Sequence, residues 1–356
     1  MMGFVKRLVN ESTMIPVFSV LVGLLLGAVI MLAGNYNPIL AYGFLFSKAF
    51  GDMYNIGETI RQITPYIFTG LSVAFAFRTG LFNIGAEGQF IMGAIAAVSV
   101  GVLLELPWYL HVPLALVASA LAGGFWGAIV GYLKAARGMH EVITTIMLNW
   151  IALHVSNYIV RTVLLEKGMA RSKYIHESAW MSSPGISQMF DHARIHYGIL
   201  LALALSALFY FLLWKTRQGF ELRSVGLNPD ASEYAGINVK NTFVKAMFIS
   251  GVFAGIGGAC EVLGVFHYQT INAAFPGYGL MGIAVALIGR NSPLGVVLGA
   301  VLIGVLTYGA SGMKFGAGVP EELINVVIAL VIFFVAASGI VEILLRRFRK
   351  KNRVVN

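Results

Sequence analysis

Charge is the scarcest commodity in this 356-residue sequence. Asp, Glu, Lys and Arg together make 12% of it, about half the ~25% usual for a soluble domain. That deficit excludes an ordinary water-soluble fold. Cysteine is almost absent: Cys260 stands alone inside an apolar run, so no disulfide framework exists. No glycine is followed by lysine anywhere, which removes the Walker A loop and any nucleotide hydrolysis that depends on it. Neither His-Glu-x-x-His nor Gly-x-Ser-x-Gly occurs, and His267 has no second His or Cys at ligand spacing. A zinc site and a serine elbow are therefore not expected. No metal and no cofactor is called for.

What fills the sequence instead is hydrocarbon. Hydrophobic residues make 58% and mean hydropathy is +0.80. The apolar stretches are long and continuous rather than alternating, which predicts an all-α polytopic membrane protein and excludes a β-barrel. About ten spans are expected, near residues 14–33, 62–77, 84–104, 112–133, 142–161, 197–214, 244–266, 278–289, 294–311 and 322–344. The eighth is short and Gly-rich, and so reads as broken or re-entrant. The first follows Lys6 and Arg7 as a signal peptide would. It is long for one, however, and Gly34-Asn-Tyr-Asn-Pro38 is no cleavage site, so it reads as a retained span.

The net charge of +9 reflects loops and headgroups rather than nucleic acid. Lys6, Arg7, Arg78, Lys134, Arg137, the basic residues of 215–245, Arg290 and the tail 346–356 fall on one side. Lys48, Arg61, Lys314 and the basic residues of 161–194 fall on the other. The excess places both termini in the cytoplasm. The whole of 1–356 then reads as one transmembrane domain, with a cytoplasmic loop at about 215–241 and an external loop at about 163–196. The tail Arg346–Arg353 reads as a membrane-surface anchor. Tyr42-Gly-Phe-Leu-Phe46 reads as part of an amphipathic helix at the outer interface.

The densest polar feature is Arg78-Thr-Gly-Leu-Phe-Asn-Ile-Gly-Ala-Glu-Gly-Gln89. Asn83, Glu87 and Gln89 stand at the mouth of an apolar span, among Gly80, Gly85 and Gly88. Such groups are costly in hydrocarbon unless they face protein or a watery cavity. For Glu87 three readings stand: a group on a substrate path, a wet or helix-capping carboxylate, or an ion-coupling carboxylate. Asn149 and Asn325 are candidates for interhelical hydrogen bonds, and Asn149 also for substrate contact. Glu261, His267 and Asn272 run from the outer half of the seventh span into Phe275-Pro-Gly-Tyr278. There a helix must break, and Phe275 and Tyr278 offer flat faces to a ligand or to the interfacial belt. Phe82-Asn-Ile-Gly-Ala and Tyr278-Gly-Leu-Met-Gly-Ile begin runs five spans apart, the spacing of an inverted repeat.

In the longest cytoplasmic loop, Asn228-Pro229-Asp230 supplies an N-cap, a proline at N1 and an early acid. A short helix Pro229–Ala235 carrying Asp230, Glu233 and Tyr234 is expected, with Gly236 ending it. If ATP drives transport, a separate polypeptide hydrolyses it, and this helix is where that polypeptide would push. The plainer reading is a solvated loop helix.

Four ordered segments carry a resemblance. Gly80-Leu-Phe-Asn-Ile-Gly-Ala-Glu-Gly-Gln89, Glu141-Val-Ile-Thr-Thr-Ile-Met-Leu-Asn149, Arg223 to Gly236, and Phe275 to Asn291 resemble motifs of the nucleoside (simple-sugar-type) branch of bacterial ABC-importer permeases. That branch belongs to the larger group with ribose and branched-chain amino acid permeases. The resemblance implies a transport subunit, not an enzyme, that moves nucleosides by alternating access. It implies a cytoplasmic ATP-binding subunit, a second and often non-identical permease, and an extracytoplasmic substrate-binding (lipo)protein. On that basis Asn83, Glu87, Gln89 and Asn149 are expected to line the path, with Phe82, Phe275 and Tyr278 as walls. Asn228, Pro229, Asp230, Glu233 and Tyr234 are expected to meet the ATPase. Ribose-type or amino-acid permeases are the nearest alternatives; an ion-coupled secondary transporter is the alternative from another class.

Overall fold

The structure is a computed structural model that describes residues 11–182 and 184–337. The basic residues 6 and 7, the tail 346–356 and the end of the expected span 322–344 lie outside the described residues. Among the described residues fourteen α-helices follow one another: α1 Glu11–Ala33, α2 Pro38–Phe50, α3 Met53–Arg78, α4 Ala86–Leu103, α5 Trp108–Arg137, α6 Glu141–Ile159, α7 Pro184–Met189, α8 Gly198–Lys215, α9 Arg217–Leu227, α10 Pro229–Tyr234, α11 Val239–Glu261, α12 Tyr278–Ile288, α13 Pro293–Ala317 and α14 Glu321–Ala336. Among the described residues the only β pairing is three isolated bridges. Each of the ten expected segments coincides with a helix. Six of them are long and apolar enough to cross a membrane: α4, α5, α6, α8, α11 and α13.

The chain forms two compact units, one from the residues up to Asp52 together with those from Val305 onward, the other Met53–Gly304. In the first unit α1 packs on α14, with Gly23 against Val331 and Gly27 against Val327. The side chain of Asn37 caps α2, accepting from the amides of Ile39 and Leu40 at 3.0 and 3.2 Å. Its Ala41, Leu45 and Ala49 are buried while Ile39, Phe46 and Phe50 are exposed, so apolar residues occupy both faces rather than one face of an amphipathic helix.

The second unit is built on α11, packed chiefly between α5, α4 and α3. Small residues permit that density. A Cβ on Gly255 would stand 2.4 Å from the Ser119 carbonyl oxygen of α5, and one on Gly93 of α4 only 2.3 Å from Gly255 itself. Without a hydrophobic drive between helices in lipid, such close backbone approach supplies the dispersion that holds them. The glycine richness of the sequence is therefore spent at helix crossings.

This unit has two distinct ends. One carries Glu58 and Arg61 of α3 and Glu261 of α11. Over it lies residues 165–196, whose backbone pairs with 263–271 through Met181 N to Leu263 O, Ile175 N to His267 O and Ser172 N to Gln269 O. Arg171 is held between the rings of Tyr174 and Tyr268, at 4.2 and 4.6 Å. The other end carries Arg78, the α9–α10 corner and the residues after α12.

Candidate translocation site

Two chain segments cross this unit without being continuous helices. Residues 79–85 leave the C-terminus of α3 in irregular backbone, with Gly80 at φ +76°, before α4 begins. Residues 267–277 descend from the opposite end in irregular backbone before α12 begins. α12 has 11 residues, about 16 Å of helix, or roughly half the ~30 Å hydrocarbon core. The eighth expected span is thus an extended stretch joined to a half-helix. α12 runs from the level of Tyr66 and Thr69 in α3 to Arg78 at its end. From the same starting level α4 runs the other way, to Gly101, whose carbonyl accepts from His176 N.

The two N-termini meet at Glu87. Its carboxylate accepts from the backbone N–H of Gly277 at 2.7 Å, Gly279 at 2.5 Å and Leu280 at 3.1 Å. These are orphan donors that every helix start presents, and a negative charge there also complements the helix dipole. Gly277, at φ +88°, makes the turn into α12. Gly279 leaves room for the carboxylate's own helix: a Cβ there would stand 2.2 Å from the Glu87 nitrogen. At its C-terminus α12 is closed by the opposite charge. Arg78 donates from Nε to the Asn291 carbonyl at 2.7 Å and from Nη2 to that of Arg290 at 3.0 Å.

Asn149 performs the matching task for α4. Its Oδ1 accepts from Gly88 N at 2.8 Å and its Nδ2 donates to the Ile84 carbonyl at 3.0 Å. Asn83 and Gln89 pair amide to amide, at 2.8 and 3.2 Å. Asn83 also donates to Ser250 at 2.7 Å and Ser72 at 3.3 Å, tying the irregular segment to α11 and α3. All four polar side chains of the Asn83–Asn149 group are buried, Glu87 completely (0% exposed).

A cavity of about 340 Å³ lies beside this junction, toward the end covered by residues 165–196. Phe90, Phe266, Tyr268, Phe275 and Tyr278 give it aromatic walls; Glu261, Gln269, Thr270 and Asn272 give it polar ones. Its size and mixture suit a small organic molecule, for which pockets of about 300–1,000 Å³ with few polar groups are usual. The irregular strand is pinned where it passes: Asn157 exchanges two hydrogen bonds with the backbone of Asn272, at 2.8 and 3.0 Å. Phe275 rests on Trp150, ring centres 4.5 Å apart.

Of the residues picked out in the sequence, Glu261, Asn272, Phe275 and Tyr278 line this cavity, of which only Phe275 and Tyr278 were expected on the path. Asn83, Glu87, Gln89 and Asn149 sit next to it but are spent on the backbone and on each other. Phe82 stacks on Phe77, ring centres 5.0 Å apart, away from the cavity. Glu261 and Asn272 were noticed in the sequence but not assigned to the path, and Phe90, Tyr268, Gln269 and Thr270 were not noticed at all. The signal for Glu261 was present, an acid inside an apolar run; the others needed the path of the chain.

Glu261 Oε1 accepts from the Tyr278 hydroxyl at 2.9 Å and faces Arg61 Nη1 at 3.4 Å. Arg61 also binds Glu58 at 3.0 Å, and Arg194 grips both Glu58 oxygens, Nη2 to Oε2 at 2.8 Å and Nε to Oε1 at 3.1 Å. The Glu58 carboxylate, hydrogen-bonded to it, raises the Arg194 pKa above its ordinary value. Nearby, burial pushes the His196 imidazole down to about 4, with the Arg61 charge adding to the effect.

At the other end, Asn228 Oδ1 accepts from Ala231 N at 3.0 Å, Pro229 opens α10 and Gly236 closes it at φ +85°. The helix expected over Pro229–Ala235 is thus present, with Ala235 as its C-cap. Leu227 is 88% exposed and Tyr234 98%. Immediately before this corner, Gly226 of α9 rests on Thr79 and Gly80, where the irregular segment begins.

A half-helix and a longer apolar helix whose N-termini meet at a capped junction beside a small cavity fit a membrane transport permease. The chain belongs to the family described as branched-chain amino acid transport system / permease component, whose pattern matches residues 55–336. It is 49% identical over 347 residues to the guanosine ABC transporter permease protein NupP of Bacillus subtilis strain 168, covering 98% of this chain and 99% of that one. It is 39% identical over 342 residues to the nucleoside ABC transporter permease protein NupB of Lactococcus lactis subsp. cremoris strain MG1363, covering 94% of each. Against the glucose ABC transporter permease protein TsgB13 of Haloferax volcanii it is 34% identical over 331 residues, covering 91% of this chain and 87% of that one.

Proposed function

We propose that this chain is the membrane-spanning permease subunit of an ATP-driven importer and that its cargo is a nucleoside. The observation that carries the reading is the cavity, where five aromatic rings surround a carboxylate, two amides and a hydroxyl. A nucleoside offers a π-face, amide-like base edges and ribose hydroxyls, and so can use every one of those groups. Near full-length similarity to a guanosine and a nucleoside permease supports the same cargo. Similarity to a glucose permease favours a sugar as the second reading. An ion-coupled mechanism finds no support in Glu87, whose oxygens are taken up by three backbone donors.

In this reading the chain is one transmembrane domain of about ten spans with both termini in the cytoplasm. α4 and α12 are the broken members of an inverted repeat; their opposed directions and shared starting level support that. The cavity then faces outward, where a substrate-binding (lipo)protein delivers cargo. A second permease, non-identical to this one, completes the path. A cytoplasmic ATP-binding subunit docks on α10, with Asp230, Glu233 and the exposed Tyr234 at the contact. Its motion reaches the irregular segment through the Gly226–Gly80 contact.

Uptake of labelled guanosine, adenosine, uridine, ribose and glucose by cells with and without this chain, its partners intact, tests the proposal. Loss of nucleoside uptake with both sugars unaffected is expected. Loss of sugar uptake alone would replace the cargo; loss of none would refute the transport role proposed for it.

A further inference from the structure

One side-chain oxygen of a residue that lines the cavity has no partner. Glu261 is 3% exposed, and its Oε1 is occupied by Tyr278 and Arg61. Oε2 is buried and accepts no hydrogen bond, although the residue lines the cavity. A buried acceptor left unsatisfied is disfavoured, the more so for a carboxylate. The protein nonetheless holds this one rigidly. Arg61 is fixed in turn by Glu58 and Gln62, at 3.0 Å each, and Tyr278 by ring contacts with Tyr66 and Phe90, centroids 5.7 and 5.3 Å away. A carboxylate braced on one oxygen and bare on the other is arranged to receive a donor from outside the chain.

We infer that Glu261 is a cargo-recognising residue of this cavity, its Oε2 accepting a hydrogen bond from an N–H or O–H of a neutral ligand whose ring lies among Phe90, Phe275 and Tyr278. The inference rests on the nucleoside reading and names the contact that reading lacks. Two groups on a nucleoside have this chemistry, a ribose hydroxyl and a base N–H. The same oxygen disfavours phosphorylated cargo, because it would set two negative charges together where little water screens them.

The test measures uptake efficiency of guanosine and of analogues lacking one donor each, 2′-deoxyguanosine, 3′-deoxyguanosine and N1-methylguanosine. The complete importer carries either the native chain or Glu261→Gln. The binding protein is unchanged throughout, so its own preferences cancel in each native-to-variant ratio. Removing a hydrogen bond to a charged acceptor is expected to lower guanosine uptake roughly 10- to 100-fold in the variant. For one analogue the native importer should fall to about the variant's level while the variant is indifferent to the same change. That analogue identifies the donor, sugar or base. Equal ratios for all four compounds would overturn the inference while leaving nucleoside transport standing. A native importer that takes up none of them overturns both. Glu261→Asp, which keeps the charge beside Arg61 but withdraws the free oxygen by one methylene, decides the matter if the Gln variant does not assemble: it should show the same insensitivity, and a native pattern of ratios would overturn the inference.

Discussion

Replacing Glu87 by Gln separates a helix cap from a cargo ligand. In the structure one carboxylate oxygen accepts from Gly277 and the other from Gly279 and Leu280. A glutamine has a single acceptor. Its best placement keeps the oxygen on Gly279 and Leu280 and turns the amide N–H₂ toward Gly277 N, donor against donor. A buried donor left unsatisfied costs about 1–3 kcal/mol. Loss of the negative charge from the helix start adds about 0.3–2 kcal/mol. Together these give a destabilisation of about 1.3–5 kcal/mol. Glu87→Ala orphans all three donors and leaves a void as well, and should be worse than Gln. The assay is thermal unfolding of the purified importer in detergent, with uptake measured on the same variants. The midpoint should fall in the order native, Gln, Ala, and uptake should follow the same order. A Gln variant as stable as the native protein but unable to transport would refute the capping argument and return Glu87 to the cargo path.

Other substitutions test neighbouring steps. Gly279→Ala should prevent assembly, since its Cβ would meet Glu87 backbone at 2.2 Å. Gly277→Ala meets no atom and should cost only about 1–2 kcal/mol for its positive φ; equal yields of the two in membranes would contradict this. Asp230→Lys and Glu233→Lys should reduce co-purification of the ATP-binding subunit without changing the permease's own thermal midpoint, and unchanged co-purification would make α10 a plain connector. Stability should also fall with acid through His196. Its folded pKa of about 4 lies below the ordinary 6.5, so between those values the unfolded chain binds more protons. Stability is complete above about pH 6.5 and declines as pH drops toward 4, by at most about 1.4 kcal/mol per unit. His196→Gln should flatten that part of a pH–stability curve relative to the native protein.

Much of this was legible because lipid constrains sequence severely. Hydrocarbon forces every backbone group into helix unless protein or water satisfies it, so each long apolar run fell on a helix, although the ends differ by as much as nine residues, as at the start of α3. Breaks were equally visible: the glycines and proline at Phe275-Pro-Gly277 and at Gly80 to Gly85 interrupt helix, and both stretches are irregular backbone in the structure. The cap of α10 was readable from Asn228-Pro229 because N-capping is a local event between residues three apart. What the Asn83–Gln89 residues do was not readable. A carboxylate in an apolar segment signals that something must satisfy it, and the sequence is silent on whether that is cargo, water or a helix start 190 residues away.

Composition and pattern by themselves therefore determined the solvent of this protein, the places where its helices run and break, and the absence of a Walker A loop. Those properties depend on neighbours along the chain and on the bulk cost of polarity in hydrocarbon. Tertiary structure alone decided that Glu87 closes α12, that Asn149 closes α4, and that Glu261, in a cavity wall, is left with an unpartnered oxygen. Hydrogen bonds at 2.5–3.1 Å join residues whose separation in sequence carries no record of their meeting.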